Sequence, residues 1–469
     1  MKSTLLRIAL LAAWALALPG LAAAADLTEV YHRALRNDPQ LREAEANHQA
    51  TLEAKPQALS SLLPQLSGTG SYAHDSLDST SLSFLGISGA IQIPQTSKTD
   101  TRQWALELRQ TLFRWDQFAA LKQADAQVAQ AEVDYRAAQQ DVIVRSATAY
   151  FNVLAARDTL DAAEASREAI TRQLEQAEKR FEVGLIAITD VEEAKAANDQ
   201  AIATVIASKR TLATARDQLR ELTGDAFDEL ARPGDDMPLV TPDPASEDQW
   251  VKAALDQNLA LSSARLGADI ARENISIARA GHLPSVDLVA KRTGTNTTGT
   301  TDITADLSAY GIPNSFPADT WNNDKTVGVQ LTIPIYSGGY ANSKVREAVY
   351  RHRASRERLE RTARATERAT RDSYLGVISE ISRVQALKQA VESSKTALAA
   401  TEAGYEVGTR TAVDVLLARQ RLFDALTTYA RSRYDYVLNV LSLEQAAGTL
   451  DETRVTRVNS WLGQTVSVK

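Results

Sequence analysis

The sequence contains no cysteine, so it can have no disulfide framework, no thiolate chemistry and no lipid-bearing cysteine after a leader. Its five histidines are scattered and make no metal-ligand spacing. There is no glycine-rich phosphate loop and no serine in a nucleophile motif. No catalytic, cofactor-binding or metal-binding residues are therefore expected. Excess positive charge is also missing: the formal charge is −7, which argues against nucleic acid as a partner. Beyond the first 25 residues no segment approaches the roughly 18 uncharged apolar residues of a membrane helix. If the chain enters a membrane, it does so as strands.

The first 25 residues do carry an address. Lys2 and Arg7 precede an apolar run from Ile8 to Leu18, and Ala23, Ala24 and Ala25 stand before Asp26. This reads as a secretory signal peptide over residues 1–25, with the mature chain starting near Asp26 and leaving the cytoplasm. Without Lys2 and Arg7 the formal charge becomes −9.

An internal duplication organises the rest. Tyr405 to Ala418 reads Tyr-Glu-Val-Gly-Thr-Arg-Thr-Ala-Val-Asp-Val-Leu-Leu-Ala, and 224 positions earlier Phe181 to Ala194 keeps Glu, Val, Gly, Asp, Val and Ala in register. Each copy lies between two long helical runs, so each is expected to be the turn at the tip of a helical hairpin, with Gly184 and Gly408 ending the incoming helices. The duplication reaches further. Leu27 to Ser61 reads as helix ending at Leu63-Pro64, and the pattern Ala34, Leu35, Leu41, Ala44 returns as Ala254, Leu255, Leu261, Ala264 before Leu283-Pro284. The expected divisions are a first repeat over 26–222, a linker over 223–247, a second repeat over 248–448 and a polar tail over 449–469.

Period-two segments follow each of these helices. Trp104, Leu106, Leu108 and Leu112 alternate with polar residues, as do Val286, Leu288 and Ala290, and Val327, Val329, Leu331, Ile333 and Ile335; Leu66 to His74 is a weaker case. One apolar and one wet face is implied. Polar loops are expected over 75–98 and 294–323, long as outer-membrane barrel loops are. Four strands cannot close a membrane barrel, whose minimum is about eight, so the barrel must be shared between chains. Two copies leave little lumen; three give twelve strands and an aqueous channel.

Very long helices are expected from about Asp116 to Glu182 and from Tyr340 to Glu406, with return helices Thr189 to Leu222 and Thr411 to Ala447. Val377, Val384, Val391, Leu398 and Tyr405 recur every seven residues, as do Val153, Leu160, Leu174 and Phe181 with Arg167 interrupting. Such repeats imply a left-handed supercoil.

The duplicated layout, the Leu-Pro endings and the tip motifs Phe-Glu-Val-Gly-Leu-Ile-Ala-Ile-Thr-Asp-Val and Tyr-Glu-Val-Gly-Thr-Arg-Thr-Ala-Val-Asp-Val resemble the TolC family of outer-membrane exit ducts over nearly the whole mature chain. The resemblance implies an α+β membrane protein. A homotrimer would build a twelve-stranded outer-membrane β-barrel, four strands per chain, continued by a periplasmic α-helical coiled-coil barrel. It also implies a periplasmic adaptor and an inner-membrane transporter as partners, for drug efflux or type I protein secretion, and lipid of the outer membrane around the barrel. By resemblance, Tyr405 and Arg410 reach Thr189 and Asp190 and hold the periplasmic end shut, while Asp414 lines the constriction. From the residues alone, Thr411-x-x-Asp414 and Thr189-x-x-Glu192 also fit helix capping boxes. The tips of this family often carry a second acidic residue where Leu417 stands here; Leu417 could instead pack between helices, and Glu192 and Glu193 could supply the charge. The alternative function is a coiled-coil envelope spacer anchored by a barrel, without transport; it would show no single-channel conductance.

Overall fold

The structure is a computed structural model that describes residues 25–84, 90–234, 236–304 and 313–468. Of the expected leader only Ala25 is among them. Two compact units divide the chain: one holds the residues up to His48, Ala131–Ala264 and Arg358 onward, the other Gln49–Gln130 and Arg265–Glu357.

In the first unit the expected helix from Leu27 is broken. Helix α1 (Leu27–Asn37) stops at Asp38, α2 (Pro39–Leu52) follows, and α3 (Ala54–Ser60) falls in the second unit. The residue before a proline is driven out of the helical region, and Asp38 is extended at φ −62°, ψ 116°. Its carboxylate caps α2 by accepting from the backbone N–H of Gln40 and Leu41. Burial alone would raise its pKa, but Arg145 at 2.6 Å holds it below the ordinary value. The second copy repeats the design without the proline. Asn258 separates α6 (Glu247–Gln257) from α7 (Leu259–Ala280) and accepts from Leu261 N–H at 3.0 Å.

The long helices α4 (Trp115–Glu182) and α8 (Tyr340–Glu406) return as α5 (Ile188–Thr223) and α9 (Ala412–Ala447), each ending on a left-handed glycine, Gly224 and Gly448, at φ 77°. Asn37 donates to Thr223 O at one of these ends and Asn258 to Ala446 O at the other. Orphan helix-end carbonyls are thereby satisfied twice by the same device. Val377, Val384 and Val391 are buried as expected of a seven-residue row. In α4 the row changes track. Val153 and Leu160 are buried, but around the exposed Arg167 the buried row runs through Ala163, Ile170 and Ala177, with Gln173 also buried, whereas Leu174 is half-buried and Phe181 exposed. A guanidinium cannot enter an unpaired apolar seam, so the seam moves to the neighbouring set of positions.

The core of this unit centres on Tyr150, Phe151 and Tyr434, whose rings succeed one another at 5.4 and 5.5 Å. Tyr434 donates to Asp158 at 2.6 Å, and burial pushes the Asp158 carboxyl up. The expected polar tail is structured: α10 (Glu452–Asn459) leads to β7 (Leu462–Ser467), which pairs antiparallel with β3 (Glu229–Pro233) from the linker. Val455 and Val458 join the core, so burial of an amphipathic face orders a segment that its polarity made look free.

In the second unit, β1 (Gln65–Phe84), β2 (Ala90–Phe113), β4 (Ser285–Ile303) and β6 (Thr320–Thr332) form an antiparallel sheet in the order β1-β2-β4-β6, with short β5 (Ser315–Pro317) also on β4. Most of the expected loops are therefore strand. Threonine-rich segments pair well in strands, and hydroxyls bridge β2 to β4 at Ser97–Thr301 and Thr101–Thr297. Residues 85–89 and 305–312 of those loops lie outside the described set. Register puts Leu66, Leu106, Leu108, Leu288, Val327 and Val329 on one face, while Glu107, Arg109, Asp287 and Lys291 occupy the other. Edge strands β1 and β6 run in opposite directions, so each can pair with the other edge of a further copy in an antiparallel seam.

Candidate functional site at the two helical tips

Each tip closes with the same backbone device. At the first, Gly184 has φ 75°, its N–H reaches Phe181 O at 2.8 Å, and Leu185 N–H reaches Arg180 O at 2.8 Å. At the second, Gly408 has φ 77°, with Gly408 N–H on Tyr405 O at 3.2 Å and Thr409 N–H on Gly404 O at 2.8 Å. These paired bonds, around a residue only glycine adopts without strain, end a helix and satisfy its last carbonyls.

The return helices start differently. Thr411 caps α9: its hydroxyl accepts from Asp414 N–H at 3.2 Å, and its own N–H and hydroxyl both donate to Asp414 Oδ2 at 2.9 Å. The Thr411 N–H first, then its hydroxyl, and also the nearby Arg410 charge hold the Asp414 carboxyl below its usual value. At the first tip, α5 begins one residue earlier than expected, so its capping position is Ala187 and no side chain caps it. The expected box from Thr189 to Glu192 does not form, because both residues already lie inside the helix. Asp190, the register equivalent of Asp414, is thus free of a capping role and half-buried.

A second exchange separates the tips. Where the first has Arg180, the second has Gly404, and a Cβ there would lie 2.8 Å from Arg410 Cγ. The absence of a side chain lets Arg410 fold back over the end of α8, and Arg410 N–H also donates to Gly404 O at 3.1 Å. Arg180 instead lies over the Tyr405 ring, 5.0 Å from its centre. Among the described residues of one chain, none of Thr189, Asp190, Tyr405 and Arg410 hydrogen-bonds or ion-pairs with another of the four; Tyr405 is half-buried beside Arg180 and Arg410 is exposed. Leu417 is 51% exposed and, with Leu416 and Phe423, lines a groove against Ala197 and Ala201 of α5. Its register equivalent in the first tip is Glu193.

Sequence reasoning missed Arg180, Gly404 and Gln173. The first two stand at matching positions of the duplicated motif, so their mismatch was visible there. Gln173 is buried in α4 and donates to Ala412 O at 3.4 Å, a contact between the hairpins that no local signal announces.

The family described as "Outer membrane efflux protein" matches residues 30–225 and 250–449. The chain belongs to that family. The outer membrane protein TolC of Vibrio cholerae is 37% identical over 94% of this chain and 94% of its own length. The alkaline protease secretion protein AprF of Pseudomonas aeruginosa is 29% identical over 92% and 85%. Among solved structures, the outer membrane protein VceC of Vibrio cholerae superposes with a TM-score of 0.68 at 20% identity, covering 90% of this chain and 96% of that one. As an outer membrane efflux protein the chain is an export channel of the outer membrane. Its four long strands belong to the barrel of this fold, and its helices to the periplasmic tunnel. Its relatives are channel proteins rather than enzymes.

Proposed function

We propose that the trimer works with a periplasmic adaptor and an inner-membrane transporter, in drug efflux or type I protein secretion, and is gated at its two helical tips. The names of the relatives support both kinds of export, since AprF is named for protease secretion and the family for efflux. The two family matches support the division into repeats over 26–222 and 248–448, with the leader over 1–25 and all but the first residues of the linker over 223–247 and of the tail over 449–469 outside them.

The gate is assigned to Thr189, Asp190, Tyr405 and Arg410. The observation that carries this reading is the unequal commitment of two register-matched carboxylates: Asp414 is bound by Thr411, whereas Asp190 faces no capping hydroxyl because Ala187 stands there. An uncommitted carboxylate and an exposed guanidinium at neighbouring tips can form a charge-assisted bond when the tips close. Tyr405, steadied by Arg180, and Thr189 add neutral donors beside it. Asp414, fixed in geometry and kept ionised, contributes three carboxylates to a ring at the constriction. Conductance of the reconstituted trimer tests the gate. Asp190→Ala with Arg410→Ala should raise it severalfold and admit large antibiotics, because both charges leave together and neither is stranded; unchanged conductance would remove these residues from the gate.

A further inference from the structure

The apolar face of the sheet changes character toward the hairpin tips, and the change leaves cations without partners. Register aligns Leu106, Arg292 and Lys325 in one row across β2, β4 and β6. The row beyond it holds Trp104, Gly294 and Asn323, and the next holds Tyr72 and Arg102 with Asn296. All three cations are exposed. The Arg292 guanidinium lies 5.7 Å from the Trp104 ring centre. The indole covers Gly294 so closely that a Cβ there would sit 2.3 Å from its Nε1.

Like charges directly opposite each other destabilise a strand pair, yet Arg292 faces Lys325 and neither has an ion-pair partner among the described residues. Asp100, the nearest acid on this face, stands beyond Arg102 and already accepts from Tyr72 while bonding His74, both at 2.8 Å. The other face is arranged oppositely. There Lys291 stands across from Glu107, and Arg109 reaches Asp287 at 3.6 Å. On the lumen face Lys291 and Arg109 have acids beside them, whereas on the lipid face Arg292 and Lys325 have none among the described residues and only Arg102 has one, Asp100, two residues away.

We propose that Arg292, Lys325 and Arg102 bind the phosphates of an acylated, phosphorylated glycolipid in the outer leaflet, with Trp104 and Tyr72 at headgroup depth. This rests on the barrel fold and is independent of the gate. Position favours a lipid over a soluble anion. Arg292 is seven residues along β4 from Ser285, where the strand meets the helices, which at barrel tilt is about 18 Å up the wall, near the outer edge of an apolar band about 25 Å tall. Leu106 beside it and Leu108, Leu288, Val327 and Val329 below it offer a continuous surface for acyl chains. Guanidinium and ammonium groups at that depth take phosphate oxygens, and aromatic rings mark the same interface.

The probe is diphosphoryl lipid A, added to the purified detergent-solubilised trimer and read by native mass spectrometry. The wild-type trimer should retain it through delipidating washes that remove the phosphate-free glycolipid. Arg292→Ala with Lys325→Ala should lower retention about tenfold or more, and Lys291→Ala, a charge loss on the lumen face, should leave it unchanged. Should the alanine pair fail to assemble, Arg292→Gln with Lys325→Gln serves the same comparison at similar bulk. Equal retention of the phosphate-free lipid, or equal retention by the double variant, would overturn the site. Displacement of lipid A by an equal concentration of inorganic phosphate would also overturn it, since it would mark a plain anion site.

Discussion

The two tips share a backbone and differ in what their side chains are free to do. Both stop on a left-handed glycine, Gly184 and Gly408, and both place an aspartate six residues later, Asp190 and Asp414. The positions that make the turn are the same; those that could bind something are not. Ala187 for Thr411 releases one carboxylate from capping, Arg180 for Gly404 puts a cation over Tyr405, and Ile186 for Arg410 leaves a single tip with an exposed guanidinium. We propose that the duplicated hairpin has become a pair with complementary roles, one tip presenting a fixed carboxylate and a free cation and the other a free acid.

Exchanging the capping residues is the strongest way to break this comparison. Thr411→Ala should release Asp414 and raise amide exchange over residues 412–415 severalfold, since the start of α9 loses its box. Ala187→Thr should do the reverse, steadying α5 by about 1 kcal/mol, drawing Asp190 into a cap and raising conductance toward that of the Asp190→Ala, Arg410→Ala protein. Hydrogen exchange and planar-bilayer recordings on the two variants check both statements. A capped Asp190 with unchanged conductance would separate capping from gating.

pH sharpens the same contrast. The Asp414 carboxyl is held below its ordinary value of 3.8 by the Thr411 N–H and hydroxyl and by the Arg410 charge. A carboxylate whose pKa is depressed on folding adds stability above its unfolded pKa and loses that contribution as pH falls through the folded value. Block by multivalent cations at the Asp414 ring should therefore hold steady from neutral pH down to about pH 4. A titration in which block fades with a midpoint inside that range would show an Asp414 that is not held below its ordinary value.

The smallest effect is expected at Leu417. Leu417→Asp should tighten trivalent-cation block by adding a second acidic ring one turn along the helix. Its half-exposed place in the groove against Ala197 and Ala201 limits the gain. Periplasmic-side titrations for both proteins decide it; equal block would mean that position 417 does not meet the pore or that Glu193 already supplies the charge.

Much of this was legible in the sequence, and the failures have physical causes. The long helices Trp115–Glu182 and Tyr340–Glu406 and the capping of Asp414 by Thr411 follow from seven-residue periodicity and a local spacing rule. The outer halves of β1, β2 and β4 did not show because, apart from a few residues such as Leu77, Ile91 and Ile93, both their faces are polar, and so sparse an apolar face carries little period-two signal. The misplaced box at Thr189 came from a capping position that lies two residues earlier, at Ala187, an error local pattern cannot resolve. Arg180 over Tyr405 and the docking of Val455 and Val458 depend on packing between segments far apart in the chain. The unpartnered Arg292 and Lys325 needed strand register, since in sequence they lie 33 positions apart.

The central claim is that Asp190 and Arg410 meet when the tips close, and a chain with no cysteine allows a direct test. The Asp190→Cys, Arg410→Cys trimer, reconstituted and treated with a short bis-methanethiosulfonate, should crosslink at high yield, with conductance held at the closed level until a reductant restores opening. A direct disulfide forms only when Cα atoms come within about 7 Å, closer than an aspartate–arginine pair requires, so the reagent supplies the reach of the arginine side chain. Failure to crosslink, or a crosslinked trimer that conducts and exports like the reduced one, would contradict the account.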